Sequence, residues 1–174
     1  MLRVVFASVG LAGLVVLTGL TGLAGCRVSL ETDQSHRACT VSTSSPLCVD
    51  AVNHSDLKWI EQNVFAPNCN LGGGGACHGG ASDAGKLDLR AGLSHDHLVG
   101  VSSMIDRTRK LVVPGDEAAS YLLLMLGDVA PAMASPPGAP PPGNIGYMPQ
   151  TAGTLCCQKL DAIERWIADG APNN

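Results

Sequence analysis

Between Cys69 and His78 the chain reads Cys-Asn-Leu-Gly-Gly-Gly-Gly-Ala-Cys-His, with four glycines in succession. No side chain can offset the backbone entropy that such a run loses on ordering, so the stretch excludes helix and strand and forces a loop. The fold must therefore hold this segment by its ends. Those ends carry two thiols and an imidazole, groups suited to oxidation, metal ligation or thioether formation.

The hydrophobic pattern around that loop is helical. Leu57, Ile60 and Val64 recur at i, i+3 and i+7 with Trp59 beside them, behind a capping Ser55 and ahead of Pro67. Residues 93–106 are weakly helical. Pro114-Gly115-Asp116 is a turn, and Asp116 is placed to cap a helix running to Leu126, with Ala119, Leu122, Leu123 and Leu126 as its stripe. Seven prolines between 131 and 149 make a loop that neither helix nor central strand can absorb. Thr154 then caps a last helix in which Cys156, Leu160, Ile163 and Ile167 share a face with Trp166, and Gly170 stops it. No alternating run of strand length appears. The expected fold class is all-α, with about four helices joined by long Gly/Pro-rich loops.

Residues 1–25 read as a leader. Arg3 precedes an apolar run from Val4 to Leu20, and Leu23-Ala24-Gly25-Cys26 follows. This is a secretory signal peptide, and the tetrapeptide resembles the lipobox of bacterial lipoproteins. The resemblance implies a lipidated Cys26, a membrane anchored through acyl chains, and a place in the cell envelope, on the periplasmic face of the outer membrane or at the cell surface. Residues 26–53 then form a polar tether, and residues 54–174 the domain. Without the leader the chain keeps 10 basic and 15 acidic groups, net −5. No basic patch stands out, which argues against nucleic acid as a partner.

An oxidising compartment makes disulfides persist. Six cysteines remain after Cys26: Cys39, Cys48, Cys69, Cys77, Cys156 and Cys157. Two thioethers with two disulfides would use all six, and so would three disulfides. Cys156 and Cys157 diverge by about 100° on a helix and should not bond each other. Each can pair with Cys39 or Cys48, or those two can pair together.

Two cysteines followed at once by histidine is the pattern that holds a c-type haem. Here seven residues separate the cysteines, where two is usual. On one helix that separation would put the thiols about 12 Å apart along the axis, so one haem edge could meet both only if the glycine loop bulges out. A Cys69–Cys77 disulfide, with His78 at the surface, is the plain alternative. A zinc site from Cys69, Cys77, His78 and Cys156 or Cys157 is a third.

Residues 55–173 resemble a class I cytochrome c domain, in particular the divergent cytochrome c-like domains of secreted myxobacterial and planctomycete proteins. The matching pieces are Ile60 to Phe65, Cys77-His78-Gly79, Leu87-Asp88-Leu89, Val113 to Asp116 with Ser120-Tyr121-Leu122, Tyr147-Met148-Pro149, and Trp166 to Ala171. The resemblance implies haem c attached at Cys69 and Cys77, its iron ligated by His78 and Met148, and crossed terminal helices carrying Trp59 and Trp166. Met133, His95 and His97 are rival ligands, although the histidines, with His36 and His54, suit a solvated surface. On this expectation the chain is not an enzyme but a membrane-anchored electron-transfer protein whose partners are other redox proteins. The competing expectation is a haem-free, disulfide-stapled envelope lipoprotein serving as a binding or structural module.

Overall fold

A computed structural model describes residues 39–70, 77–80, 86–150 and 153–174. The chain divides into compact units Met1–Leu30 and Glu31–Asn174, and every described residue belongs to the second. The leader, Cys26, His36 and the four glycines lie outside the described residues.

Helices α1 (Pro46–Asp50), α2 (Leu57–Ile60), α3 (Ala66–Asn68), α4 (Ser94–Leu98), α5 (Tyr121–Met125) and α6 (Cys157–Ala168) follow in order. A 3₁₀ turn, Ala51–Asn53, extends α1, and a π-helical segment, Glu61–Phe65, joins α2 to α3. Among the described residues the only β-pairing is isolated bridges, such as Thr40 with Cys156 and Val99 with Val112. The helical class holds.

Residues 39–53 include α1 and its 3₁₀ turn, and they are fastened to α6 by two disulfides, Cys39–Cys157 and Cys48–Cys156. The adjacent cysteines at the start of α6 diverge as expected and take one partner each. The guanidinium of Arg165 adds to the fastening by donating to the carbonyls of Ala51 and His54 at 2.7 and 2.8 Å.

The helix caps differ from the sequence expectation. Asp56, not Ser55, caps α2, its carboxylate accepting from the Trp59 amide at 2.8 Å. Asp116 does not start a helix. Its carboxylate closes a turn on the Ala119 amide at 2.9 Å, and the helix begins five residues later at Tyr121. The Ser120 hydroxyl donates to the Asp116 carbonyl at 2.7 Å and accepts from the Val113 amide at 2.9 Å, which holds the preceding segment in turns. Cys156, not Thr154, is the N-cap of α6. Its far end is as predicted: Gly170, at φ +93°, lets the Ala171 amide reach the Trp166 carbonyl and its own amide reach that of Ile167.

The core lies where α2 and its π extension pack on α6. Leu57, Ile60, Val64, Phe65, Leu160, Ile163, Trp166 and Ile167 are buried there, each aliphatic side chain contributing about 1.5–3 kcal/mol by leaving water. Glu61, on the π segment, is buried too, and its carboxylate accepts from the Gly92 amide at 2.9 Å and the Ser94 hydroxyl at 2.6 Å. This tethers α4 to the core. Two histidines expected at the surface have structural roles. The His54 ring stacks on Trp59 at 4.5 Å, and His95 Nε2 lies 3.1 Å from the Ala171 carbonyl oxygen.

Candidate functional site

A cavity of about 610 Å³ opens beside this core. The π segment and its C-terminal turn supply Val64, Phe65 and Cys69. Helix α5 supplies Tyr121, Leu122 and Met125, with Leu126 just beyond it, and α6 contributes Ile163. The proline-rich loop closes another side with Pro142, Asn144, Ile145 and Met148. That loop is held in place by the Met148 amide, which donates to the Met125 carbonyl at 2.8 Å. Met104 and Ile105 line the cavity and are also solvent-exposed, which places them at its mouth.

Among the described residues no Asp, Glu, Lys or Arg lines the cavity. Burial raises the Tyr121 phenol above its ordinary value, reinforced by nearby Asp106 and opposed by Arg109, so it remains a neutral donor. Burial likewise pushes the Cys69 thiol up to about 12, with Cys77 adding to the rise and Lys159 opposing it. The wall is therefore uncharged and apolar near neutral pH apart from the imidazole of His78. Serine, tyrosine, asparagine and glutamine side chains, at Ser103, Tyr121, Asn144 and Gln150, offer the remaining polar groups.

Of the residues singled out in the sequence, Cys69, His78 and Met148 line this one cavity, and Cys77 does not. The two ends of the glycine loop do come together. The His78 amide donates to the Cys69 carbonyl at 3.0 Å, and the Leu89 amide to that of His78 at 2.8 Å. Cys69 and Cys77 are free thiols in the structure and do not form the Cys69–Cys77 disulfide of the plain alternative. Met133, the rival methionine, is 69 % exposed and lies off the cavity wall.

The expectation of a haem-bearing electron carrier is overturned. Among the described residues no three or more His, Cys, Asp or Glu side chains gather to hold a metal ion. The zinc alternative fails with it, because Cys156 and Cys157 are spent in disulfides. The two-thioether attachment also lacks its second thiol on the cavity wall, since Cys69 lines the cavity and Cys77 does not. The residues do not constitute the His78/Met148 haem site that the Cys-His motif implied.

What fold and cavity define together is a disulfide-stapled helical module with an uncharged apolar pocket. Comparison with family models, curated proteins and solved structures finds no match to the chain. Sequence patterns had no means of finding the cavity itself, because its lining is drawn from separate segments that only the tertiary packing assembles. The signal nearest to it was Met148, beside a proline in an ordered loop.

Proposed function

We propose that this chain is a haem-free, disulfide-stapled binding module of the cell envelope, and that its cavity takes a small, uncharged, largely apolar molecule. One observation carries the reading: among the described residues the wall of the roughly 610 Å³ cavity has no carboxylate, ammonium or guanidinium group. Protein interiors are otherwise close-packed, and an apolar void of this size is costly to leave unfilled. Its volume is that of pockets that bury drug-sized organic molecules, about 300–1,000 Å³. Three methionines, Met104, Met125 and Met148, give the wall flexible, polarisable side chains that adapt to the shape of a guest.

A cytochrome c-like helical scaffold remains the reading of the architecture. It is supported by the packing of α2 on α6 and by Trp59 and Trp166 sharing one core. An envelope location, with a lipid on Cys26 holding the chain to a membrane, is supported by the leader and by the four cysteines joined in disulfides. Among the described residues no helix is long and apolar enough to cross a membrane.

The test is a titration of the full chain with the neutral fluorophore N-phenyl-1-naphthylamine, followed by native mass spectrometry of protein extracted from its own cells to identify the resident guest. Saturable binding is expected in the wild type. Ile163→Trp, which fills the cavity from α6, should abolish it, and Leu122→Trp should do the same from α5. Equal binding by both folded variants would refute the assignment.

A further inference from the structure

We propose that Cys69 and Cys77 are a dithiol that small disulfides oxidise to an intramolecular disulfide, and that an occupied cavity holds back the closing step. The inference rests on the cavity reading only for its second clause.

The geometry comes from the main chain. Residue 69 is fixed by its amide, which donates to the Phe65 carbonyl at 2.8 Å at the end of α3. Residue 78 is fixed on both sides, its amide to the Cys69 carbonyl and its carbonyl to the Leu89 amide. Cys77 is therefore held one residue from a direct main-chain contact with Cys69. Cys77 lies close enough to Cys69 for a charge on it to disfavour ionisation of the Cys69 thiol. Among the described residues these are the only thiols, and the remaining four cysteines are already oxidised. A chain that carries two disulfides meets an environment in which thiol–disulfide exchange proceeds.

The two thiols have different surroundings. Cys69 forms part of the cavity wall, and Cys77 does not. Burial keeps the Cys69 sulfur protonated, so the first attack falls to Cys77. The Cys77 thiolate attacks one sulfur of glutathione disulfide and displaces one glutathione, which takes up a proton. Cys69 then loses its proton to solvent and attacks the Cys77 sulfur, forming the Cys69–Cys77 bond and displacing the second glutathione. Two protein thiols are oxidised, and one small disulfide is reduced to two thiols. To make the second attack the Cys69 sulfur must swing out of the cavity wall, and a bound guest packed against it opposes that movement.

The full chain, incubated with glutathione disulfide and followed by non-reducing peptide mass mapping, tests this. The expected product is a Cys69–Cys77 cross-link. Cys69→Ser should stop at the mixed disulfide on Cys77, and Cys77→Ser should react far more slowly. With N-phenyl-1-naphthylamine at about ten times its Kd, the closing step should slow roughly tenfold, the factor 1 + [L]/Kd, while the first step keeps its rate. A wild-type chain that halts at the mixed disulfide overturns the dithiol. Closure at an unchanged rate with the probe bound overturns the coupling to the cavity. If the probe binds neither form, the cavity reading falls while the cross-link still decides the dithiol.

Discussion

The ammonium of Lys159, on α6, donates to the main-chain carbonyl of Asn63 at 2.7 Å. Asn63 is four residues before Pro67, whose nitrogen has no hydrogen to give to that carbonyl. The proline therefore leaves an acceptor open in the middle of the helical run. The π segment Glu61–Phe65 surrounds that acceptor, and a lysine from a helix nearly a hundred residues away satisfies it. Lys159 is itself buried, and burial lowers its amine below the ordinary value, an effect partly offset by nearby Cys69. Lys159→Met should keep the aliphatic packing and lose the donor, costing about 1–3 kcal/mol. The loss should register as a lower urea midpoint and as faster amide exchange at Cys69 and Asn70, the residues that end this helix.

Gly138 lies against the guanidinium of Arg109. A Cβ built there would stand 2.5 Å from Nη2. Arg109 cannot readily withdraw: it is buried, it donates to the Pro136 carbonyl, and it pairs with Asp106 at 3.2 Å. It also lies over the Tyr121 ring, 6.0 Å from the centroid, so it links the proline-rich loop to the helix lining the cavity. Gly138→Ala should cost about 1–3 kcal/mol, the usual penalty for overpacking, and should weaken binding of the apolar probe. A thermal melt and the probe titration on the same variant check both effects.

The sequence made the apolar faces legible because periodicity reports burial directly. Leu57, Ile60, Val64, Leu160, Ile163 and Ile167 are all in the core. Helix starts were less legible because cap chemistry is ambiguous between neighbours. Ser55 and Asp56 are both competent, and the residue that reaches Trp59 decides. Asp116 failed as a cap because Ser120 offers the backbone competing hydrogen bonds that favour a turn. The Cys-His pattern at residue 77 misled for a different reason. A local motif places thiol and imidazole side by side in sequence, but in the fold His78 lines the cavity and Cys77 does not.

The two disulfides are nested, and their contributions should not add. Alone, either one closes a loop of more than a hundred residues, 118 apart for Cys39–Cys157 and 108 for Cys48–Cys156. On the chain-entropy model each by itself is worth about 5 kcal/mol. Once one exists, the other closes only a ring of roughly a dozen residues and adds about 3 kcal/mol. Removing either pair by cysteine-to-alanine replacement should therefore cost about 3 kcal/mol, and removing both about 8 kcal/mol, more than the sum of the two single losses. Urea unfolding of the three variants measures this. The m-value should rise as bridges are lost, because the denatured chain expands.

Cys69 makes the fold alkali-sensitive. Burial, the leading cause, with a further contribution from Cys77, raises its thiol from an ordinary 9.0 to about 12 in the folded protein. Between those values the unfolded chain has released the proton and the folded chain retains it, so the unfolded state binds fewer protons and stability falls as pH rises. The contribution is complete below pH 9.0 and is gone above about 12, and over that span it amounts to at most about 4 kcal/mol. Lys159 acts in the opposite sense. Its lowered amine makes the folded state release a proton first, so stability gains with pH as that amine titrates below its ordinary 10.5. The thiol spans the wider pH range and should dominate above pH 10.5, where the lysine contribution has run its course. Cys69→Ala should flatten the decline in that region, seen as a smaller drop in unfolding free energy between pH 10.5 and 12 by urea titration. A decline that persists unchanged in Cys69→Ala would place the alkaline sensitivity elsewhere in the chain.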